Sequence, residues 1–224
     1  MSMQTESPLD LRRNLREIAS RQKLSATLAE HLESYFVDVD LSDAAGDASP
    51  EDLLGAAVQH FRLAEQRQPG RAAVALYTPD FDRHGWHSPH TAIDIVTDDM
   101  PFLVDSITMV VYGHGLAIHR LLHPVLGVDR DADGKVRRTQ TRGTADCQAE
   151  SWIHLEIDRI GDTVFLDAVW QEIHGVLDDV RAAVDDGASM QDCMRRAGEE
   201  VAAAAVASGD DAATYLRWIA TNNF

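Results

Sequence analysis

The run Thr91-Ala92-Ile93-Asp94-Ile95-Val96-Thr97, followed by Asp98-Asp99-Met100-Pro101, carries the pattern from which the fold can be predicted. Ile93 and Ile95 alternate with smaller or polar residues, which predicts a strand over 91–97. The acidic residues and the proline that follow predict a helix that runs to about Gly113, where glycine accepts a positive φ. The apolar face of that helix consists of Leu103, Ile107, Val110 and Val111.

Two more strands and a long helix follow. Residues 116–128 predict a strand that is irregular around 119–124, and 152–158 alternate cleanly. The alternation places Ile153, Leu155 and Ile157 inward and His154, Glu156 and Asp158 outward. Leu155→Ala is therefore expected to cost about 2–5 kcal/mol, and His154→Ala much less. A helix with an apolar face is expected to start at Asp162.

The order from residue 91 is strand, helix, strand, strand, helix, which predicts an α+β fold with a ferredoxin-like βαββα sheet. The fourth strand of that fold is missing after the last helix. Residues 73–78 predict a short strand that can fill the empty place, which would make the sheet permuted. The alternative is a sheet of three strands with 73–78 unpaired.

Helical segments are expected before and after this sheet in the sequence. Residues 9–36 carry an apolar stripe at helical spacing, 38–50 predict a loop, and Ser49-Pro50-Glu51-Asp52 is a strong helix start. Two further helices are predicted over 189–207 and 211–221. We divide the chain into an N-terminal helical segment (1–70), an ACT-like α/β domain (71–187) and a C-terminal helical segment (188–224).

Composition narrows the function classes. The chain has 224 residues, of which 45% are hydrophobic, and a formal net charge of −17 at pH 7. An acidic surface disfavours nucleic acid and anionic membranes as partners. Cys147 and Cys193 match neither a disulfide framework nor a zinc motif, so both thiols are expected to be free. With no apolar run of membrane-spanning length and no signal-peptide core, the expected location is the cytoplasm.

The motifs that resemble active sites all have simpler structural readings. Gly113-His114-Gly115 follows a helix, whereas a dinucleotide loop follows a strand, so these glycines are expected to end the helix. The run 129–134 resembles the start of a calcium loop, but Gln140 replaces the bidentate glutamate, so a hairpin turn is expected.

The histidine and acidic clusters are interpreted in the same way. The histidine loop, which holds His84, His87 and His90, offers no obvious fourth zinc ligand. We therefore predict no catalytic, cofactor-binding or metal residue in this chain. Helix capping and exposed strand faces are expected to account for the candidate acidic residues, which are Asp98, Asp99, Asp105, Glu156 and Asp158.

Three runs carry a resemblance to a known family. They are 84–91 (HGWHSPHT), 98–106 (DDMPFLVDS) and 150–158 (ESWIHLEID). These runs closely resemble the N-terminal region of the large NAD-specific glutamate dehydrogenases, and the likeness extends over about residues 9–224. That family oxidises L-glutamate to 2-oxoglutarate and ammonia while reducing NAD, in polypeptides several times longer than this one.

The resemblance implies an ACT-like region that acts in regulation or subunit contacts, with the catalytic and NAD-binding residues far downstream. It also implies a possible regulatory loop at the strand-to-helix turn, with an amino acid as its effector. Phe102 stands where ACT domains usually have a glycine, and its bulk argues against such binding. The loop consists of Asp98, Asp99, Met100, Pro101, Phe102 and Leu103.

The expected function is therefore a non-catalytic regulatory or assembly segment of an NAD-dependent glutamate dehydrogenase. Self-association and contact with downstream domains are expected, because an apolar stripe at 24–35 needs a partner surface. One alternative is an independent amino-acid sensor, which micromolar binding in calorimetry would indicate. A second is a small enzyme that uses the histidine loop, which metal analysis with His87→Ala as a control would test.

Overall fold

The computed structural model describes residues 8–21, 24–37, 39, 48–143, 147–204 and 209–221. The loop predicted at 38–50 lies largely outside these residues. The chain forms two compact units, residues 1–177 and residues 178–224.

The first unit contains one antiparallel sheet of six strands. Its strands are β1 (Ala73–Tyr77), β2 (Thr91–Asp98), β3 (Ile118–Leu122), β4 (Val125–Arg130), β5 (Val136–Thr141) and β6 (Gln148–Ile157).

Helices precede the strands, lie between them and follow them along the chain. They are α1 (Pro8–Arg21), α2 (Ala26–Tyr35), α3 (Pro50–Ala64), α4 (Phe81–His84), α5 (Leu103–Gly113), α6 (Thr163–Ala203) and α7 (Gly209–Ile219).

The strand order is β1-β2-β6-β4-β5, and β3 pairs with the remaining length of β6 on the side of β4. In a ferredoxin-like sheet the strand after the second helix lies beside the first strand. Here β1 occupies that place, antiparallel to β2 in the register Ala73↔Val96 to Tyr77↔Ala92. The predicted permutation is therefore confirmed, and the fold is α+β and ferredoxin-like.

Local sequence explains where the N-terminal helices begin. The Ser49 hydroxyl accepts a hydrogen bond from the backbone N–H of Asp52 at 3.1 Å, and Pro50 opens α3, as predicted. The Ser25 hydroxyl caps α2 in the same way through the N–H of Leu28 at 3.3 Å. Both caps satisfy backbone donors that a helix start leaves free.

One face of the sheet packs against the helices that precede it. Trp152 of β6 contacts His31 and Tyr35 of α2 and His60 of α3, with ring centroids 4.6, 6.4 and 5.1 Å apart. The core on this face also includes buried apolar residues of α1, α2 and α3. The apolar stripe predicted at 24–35 thus packs within the first unit.

The other face carries the isoleucines and leucine predicted to point inward. Ile93, Ile95, Ile153, Leu155 and Ile157 are all fully buried. Buried apolar residues of α5, which lies between β2 and β3, and of α6, which follows β6, form the layer on this face, as layered α+β packing requires. These residues are Leu103, Ile107 and Val111 of α5 and Val169 and Ile173 of α6.

Two expectations about these elements were wrong. His154 and Glu156 are 1% and 2% exposed, because α2, α3 and the loop with Trp86 cover the face that the alternation assigned to solvent. The helices predicted to start at 162 and 189 are one helix of 41 residues, α6. This helix runs through Gly187 without a break.

The irregular strand and the hairpin turn are as expected. Residues 118–130 form β3 and β4, separated at His123 and Pro124, with a register shift between Ile118 and Arg120. The backbone N–H of Gly134 donates to Asp131 O at 3.0 Å in the turn that joins β4 to β5. The predicted hairpin is thus confirmed, and β5 is a sheet strand that the βαββα count omitted.

Candidate functional site

The possible regulatory loop connects β2 to α5. Asp98 ends the strand, Pro101 and Phe102 form a turn, and the buried Leu103 opens the helix. Phe102 has φ 70° and is the only non-glycine residue with positive φ among the described residues. Its side chain is 56% exposed. The backbone here adopts the left-handed conformation that glycine favours, and the phenyl ring projects to the surface.

Hydrogen bonds and ion pairs hold the two aspartates of the loop. Asp98 accepts from Arg67 at 2.7 Å and from the backbone N–H of Gly70 at 3.2 Å. The Ser151 hydroxyl donates to Asp99 at 2.7 Å, and Arg142 lies 3.1 Å from the same carboxylate. The loop is therefore fixed at its strand end while Pro101 and Phe102 remain exposed.

A buried ion cluster lies behind Asp98. Arg67 Nη2 also donates to Glu150 at 2.6 Å, and Arg130 binds both oxygens of Glu150 at 2.7 and 2.8 Å. Two guanidinium groups face two carboxylates, so the charges balance, as buried charges require. This ion cluster (Arg67, Asp98, Arg130 and Glu150) joins the end of β2 to β4, β6 and the segment after α3.

The turn of the β4–β5 hairpin closes over the ion cluster. Arg130 donates to the backbone carbonyls of Ala64 and Gly134 at 2.8 and 2.7 Å. Gly134 has φ 82°, and a Cβ placed there would lie 2.2 Å from the carbonyl oxygen of Arg67. Glycine is therefore required at 134 by its backbone conformation and by the close approach of the two segments.

A second cluster is buried between the sheet and the N-terminal helices. His154 Nδ1 donates to Asp94 at 2.6 Å, and the Tyr77 hydroxyl donates to the other oxygen of Asp94 at 2.7 Å. Burial by itself would lower the pKa of His154, but the charge and hydrogen bond of Asp94 raise it to about 9. His154 is thus a buried imidazolium paired with Asp94. Burial by itself would raise the pKa of the Asp94 carboxyl, but the charge of His154 and the hydrogen bonds from His154 and Tyr77 lower it.

His60 lies against the same carboxylate but is neutral. Its Nε2 donates to Ile95 O at 3.1 Å, so Nδ1 accepts from the Tyr35 hydroxyl at 3.0 Å. Burial lowers the pKa of His60 to about 4, although Asp94 lies 4.0 Å away and opposes the effect. The neutral ring donates one hydrogen bond and accepts the other, so both of its nitrogens have partners.

Glu156 completes the cluster on the side of the histidine loop. Its carboxylate accepts from the Ser88 hydroxyl and from Arg120, and it lies 3.7 Å from His154 Nε2. Burial would raise its pKa, but His154, Ser88 and Arg120 lower it to about 2. We call Tyr77, Asp94, His154 and Glu156 the histidine cluster.

Burial decides what the two clusters can do chemically. Asp94 and Glu150 are 0% exposed, His154 1% and Glu156 2%. A substrate has no access to groups so enclosed, and acid–base chemistry requires a catalytic group within reach of the reacting atom. The clusters therefore fix the geometry of the sheet ends and loops.

The residues of the predicted histidine loop are dispersed. His84 stacks on Tyr77 with ring centroids 4.6 Å apart, and His90 stacks on His119 at 3.9 Å. His87 is exposed. Over the described residues, no three His, Cys, Asp or Glu side chains are placed to hold a metal ion.

The remaining predicted motifs take structural positions. Gly113 ends α5 and Gly115 follows it with φ 72°, so these glycines form a helix end, as expected. Such a position presents helix carbonyls, not the N–H groups that hold a pyrophosphate, so it does not fit NAD. Asp105 is exposed in the first turn of α5, and the thiols of Cys147 and Cys193 are free.

Sequence reasoning missed most members of both clusters, among them Arg67, Arg130, His60 and Tyr77. One pattern could have indicated the histidine cluster. Asp94 stands alone within an apolar strand, and His154 stands within another, so each polar side chain needs a buried partner. Opposite charges on adjacent buried strands then predict the pair that the structure contains.

The sheet order with β1 in the fourth place, and the turn from β2 to α5, define an α+β domain of the ACT-like class. A family model described as "Glutamate dehydrogenase, ACT1 domain" matches residues 31–173. The chain belongs to this family.

Three relatives are each named NAD-specific glutamate dehydrogenase. The protein from Halomonas elongata is 33% identical over 231 residues, covering 99% of this chain and 14% of the relative. The Pseudomonas aeruginosa protein is 31% identical, covering 91% of this chain and 14% of its own length. The Mycobacterium tuberculosis protein is 30% identical, with 89% and 13% covered. The chain thus spans about 14% of the length of these relatives.

None of the described helices is both long enough and apolar enough to cross a membrane.

Proposed function

We propose that this chain is the non-catalytic regulatory or assembly segment of a longer, cytoplasmic, NAD-dependent glutamate dehydrogenase. In that enzyme, L-glutamate, NAD and water would give 2-oxoglutarate, ammonia and NADH at residues outside these 224. The observation that carries the proposal is the match of residues 31–173 to the ACT1 domain of glutamate dehydrogenases.

The site geometry supports a non-catalytic role. The charged groups with the most perturbed environments, Asp94, His154 and Glu156, are buried among side chains of the same unit. Strongly perturbed pKa values often mark active sites, but structural ion-pair networks perturb them as well. Here the lack of access to these groups favours the structural reading.

Within this proposal the 98–103 loop is the position for an amino-acid effector. It is the strand-to-helix turn of the sheet, and the ion cluster holds Asp98 at its base. Phe102 keeps a backbone conformation suited to glycine and directs its ring outward. An effector at this turn would have to contact the exposed ring or displace it.

The assembly role predicts self-association of the chain, but through other residues than the stripe at 24–35. The stripe at 24–35 is covered within the first unit, so large exposed side chains such as Phe102, Met109 and Tyr112 must supply the contact. Light scattering over a concentration series should give a mass above the 24.7 kDa monomer. Because the net charge of −17 opposes contact between copies, added salt should strengthen association. A monomeric mass at every concentration would refute self-association of the chain.

A further inference from the structure

The outer edge of β1 has free backbone groups whose direction is fixed by the sheet. The N–H of Asp99 donates to Ala149 O, so the odd-numbered residues of β2 face β6 and the even-numbered ones face β1. Their partners Ala73, Ala75 and Tyr77 therefore bond to β2. Since these directions alternate along a strand, the N–H and C=O groups of Val74 and Leu76 point away from the sheet.

This edge carries neither of two features that discourage strand addition at natural edges, charged side chains and prolines. Natural edge strands carry charged side chains, prolines or bulges that discourage pairing. The five residues of β1 read Ala-Val-Ala-Leu-Tyr, without charge or proline. In the described part of the chain no strand pairs with this side, and the indole of Trp170 donates to Val74 O at 3.4 Å. The N–H and C=O of Leu76 remain available.

A cleft of about 630 Å³ lies along the same edge. Leu76 and Tyr77 of β1 line it, together with Gln59 of α3, His84 of α4 and Asp167 and Trp170 of α6. The cleft thus brings the open edge of β1 together with side chains of three helices.

We propose that the edge of β1 binds an extended peptide segment of a separate protein as an added strand. Its backbone would pair with Leu76, and alternate apolar side chains would pack toward α3 and α6. The peptide is expected to be basic, because the residues that line the cleft include Asp167 and His84 but neither lysine nor arginine, and the chain carries a net charge of −17. The same acidity disfavours a second copy as the occupant.

The test uses a fluorescent peptide of alternating valine and threonine with lysine at both ends. Its binding should saturate in an anisotropy titration with the intact chain. A matched peptide N-methylated at alternate residues, and so lacking the donors of one edge, should bind about tenfold more weakly, which corresponds to the loss of one hydrogen bond. Asp167→Asn should weaken binding of the unmodified peptide and reduce its dependence on salt.

Two proline variants test the assigned direction of β1. Leu76→Pro removes an outward N–H, so it should fold normally and lose peptide affinity, because edge positions tolerate proline. Ala75→Pro removes a bond to β2 and should lower the stability of the chain. Failure of the peptide to saturate at millimolar concentration, or equal affinity of the N-methylated peptide, would overturn the proposal. So would a concentration-dependent dimer that Leu76→Pro abolishes, since it would make a second copy the occupant.

Discussion

His154 is a buried, charged histidine in the middle of β6. Its neighbours Ile153 and Leu155 face the apolar core, and His154 lies on the opposite face, as alternation requires. That face is closed by α2, α3 and Trp86, whose ring centroid lies 5.7 Å from that of His154. The charge of Asp94 makes burial of the imidazolium possible.

Removal of His154 should therefore be costly. His154→Ala leaves the Asp94 carboxylate buried without its cation, and breaking a buried pair costs about 3–5 kcal/mol. His119→Ala is the matched control, because the His119–Asp158 pair is 2.8 Å long but its side chains are 38% and 46% exposed. An exposed pair contributes little to stability, because water and salt screen the two charges. Urea unfolding at neutral pH measures both, and equal losses would contradict the buried pair.

The same cluster predicts how stability depends on pH. The pKa of His154 is raised to about 9, so its contribution is complete below about 6.5, the usual histidine value, and is lost as pH rises through about 9. The pKa of His60 is lowered to about 4, so its contribution is complete above about 6.5 and is lost as pH falls through about 4.

The free energy of unfolding should therefore be greatest near neutral pH and decrease on both sides. Urea midpoints between pH 4 and pH 9 measure this dependence. His154→Gln should remove much of the alkaline decrease and leave the acid decrease in place. An alkaline decrease of unchanged size in the variant would show that His154 does not cause it.

At the scale of elements, the packing of α3 on the histidine loop depends on Gly55. A Cβ at this position would lie 2.5 Å from Trp86 Cβ and 3.1 Å from the carbonyl oxygen of Gly85. A contact below 3.0 Å with a buried tryptophan forces the helix or the loop to move. Glycine is thus kept inside a helix, where it is otherwise unfavourable, because the loop passes so close.

Gly55→Ala should destabilise the chain although alanine is the better helix former. Overpacking of this kind costs about 1–3 kcal/mol, more than the helix propensity gained. Gly175→Ala in α6 is the control, because no atom lies within 4 Å of its Cβ position, and it should stabilise by up to about 1 kcal/mol. Thermal melts compare the two variants. A gain in melting temperature for both would show that α3 and the loop are not in close contact.

Elements with a local cause were predictable from the sequence. The Ser49 cap, the alternation of β2 and the glycines after α5 each depend on a few neighbouring residues. β5 was left out of the strand count because only Val136 and Thr139 of its six residues are buried, which gives little periodicity. The ion cluster depends on Arg67, Asp98, Arg130 and Glu150 meeting from distant positions, and no local pattern encodes those contacts.

At the scale of the whole molecule, the permuted sheet has a consequence for function. β1 lies beside β2 at the edge of the sheet, although it comes before β2 in the chain. The N-terminal helices, β1 and the histidine loop therefore all precede the βαββ part in sequence, and they pack on it. The sheet is covered on both faces, and its polar groups serve to hold loops in place. This arrangement supports the proposal of a regulatory or assembly segment whose parent enzyme carries its catalytic residues elsewhere.

Glutamate-dependent NADH formation by the purified chain is the measurement that tests the non-catalytic role. We expect no NADH formation above buffer and no saturable binding of NAD in a titration, because the chain offers neither a phosphate-binding loop nor an accessible catalytic group among its described residues. An active glutamate dehydrogenase in the same assay serves as the positive control. NADH formation that increases with the amount of chain and requires glutamate would show that the chain is itself catalytic.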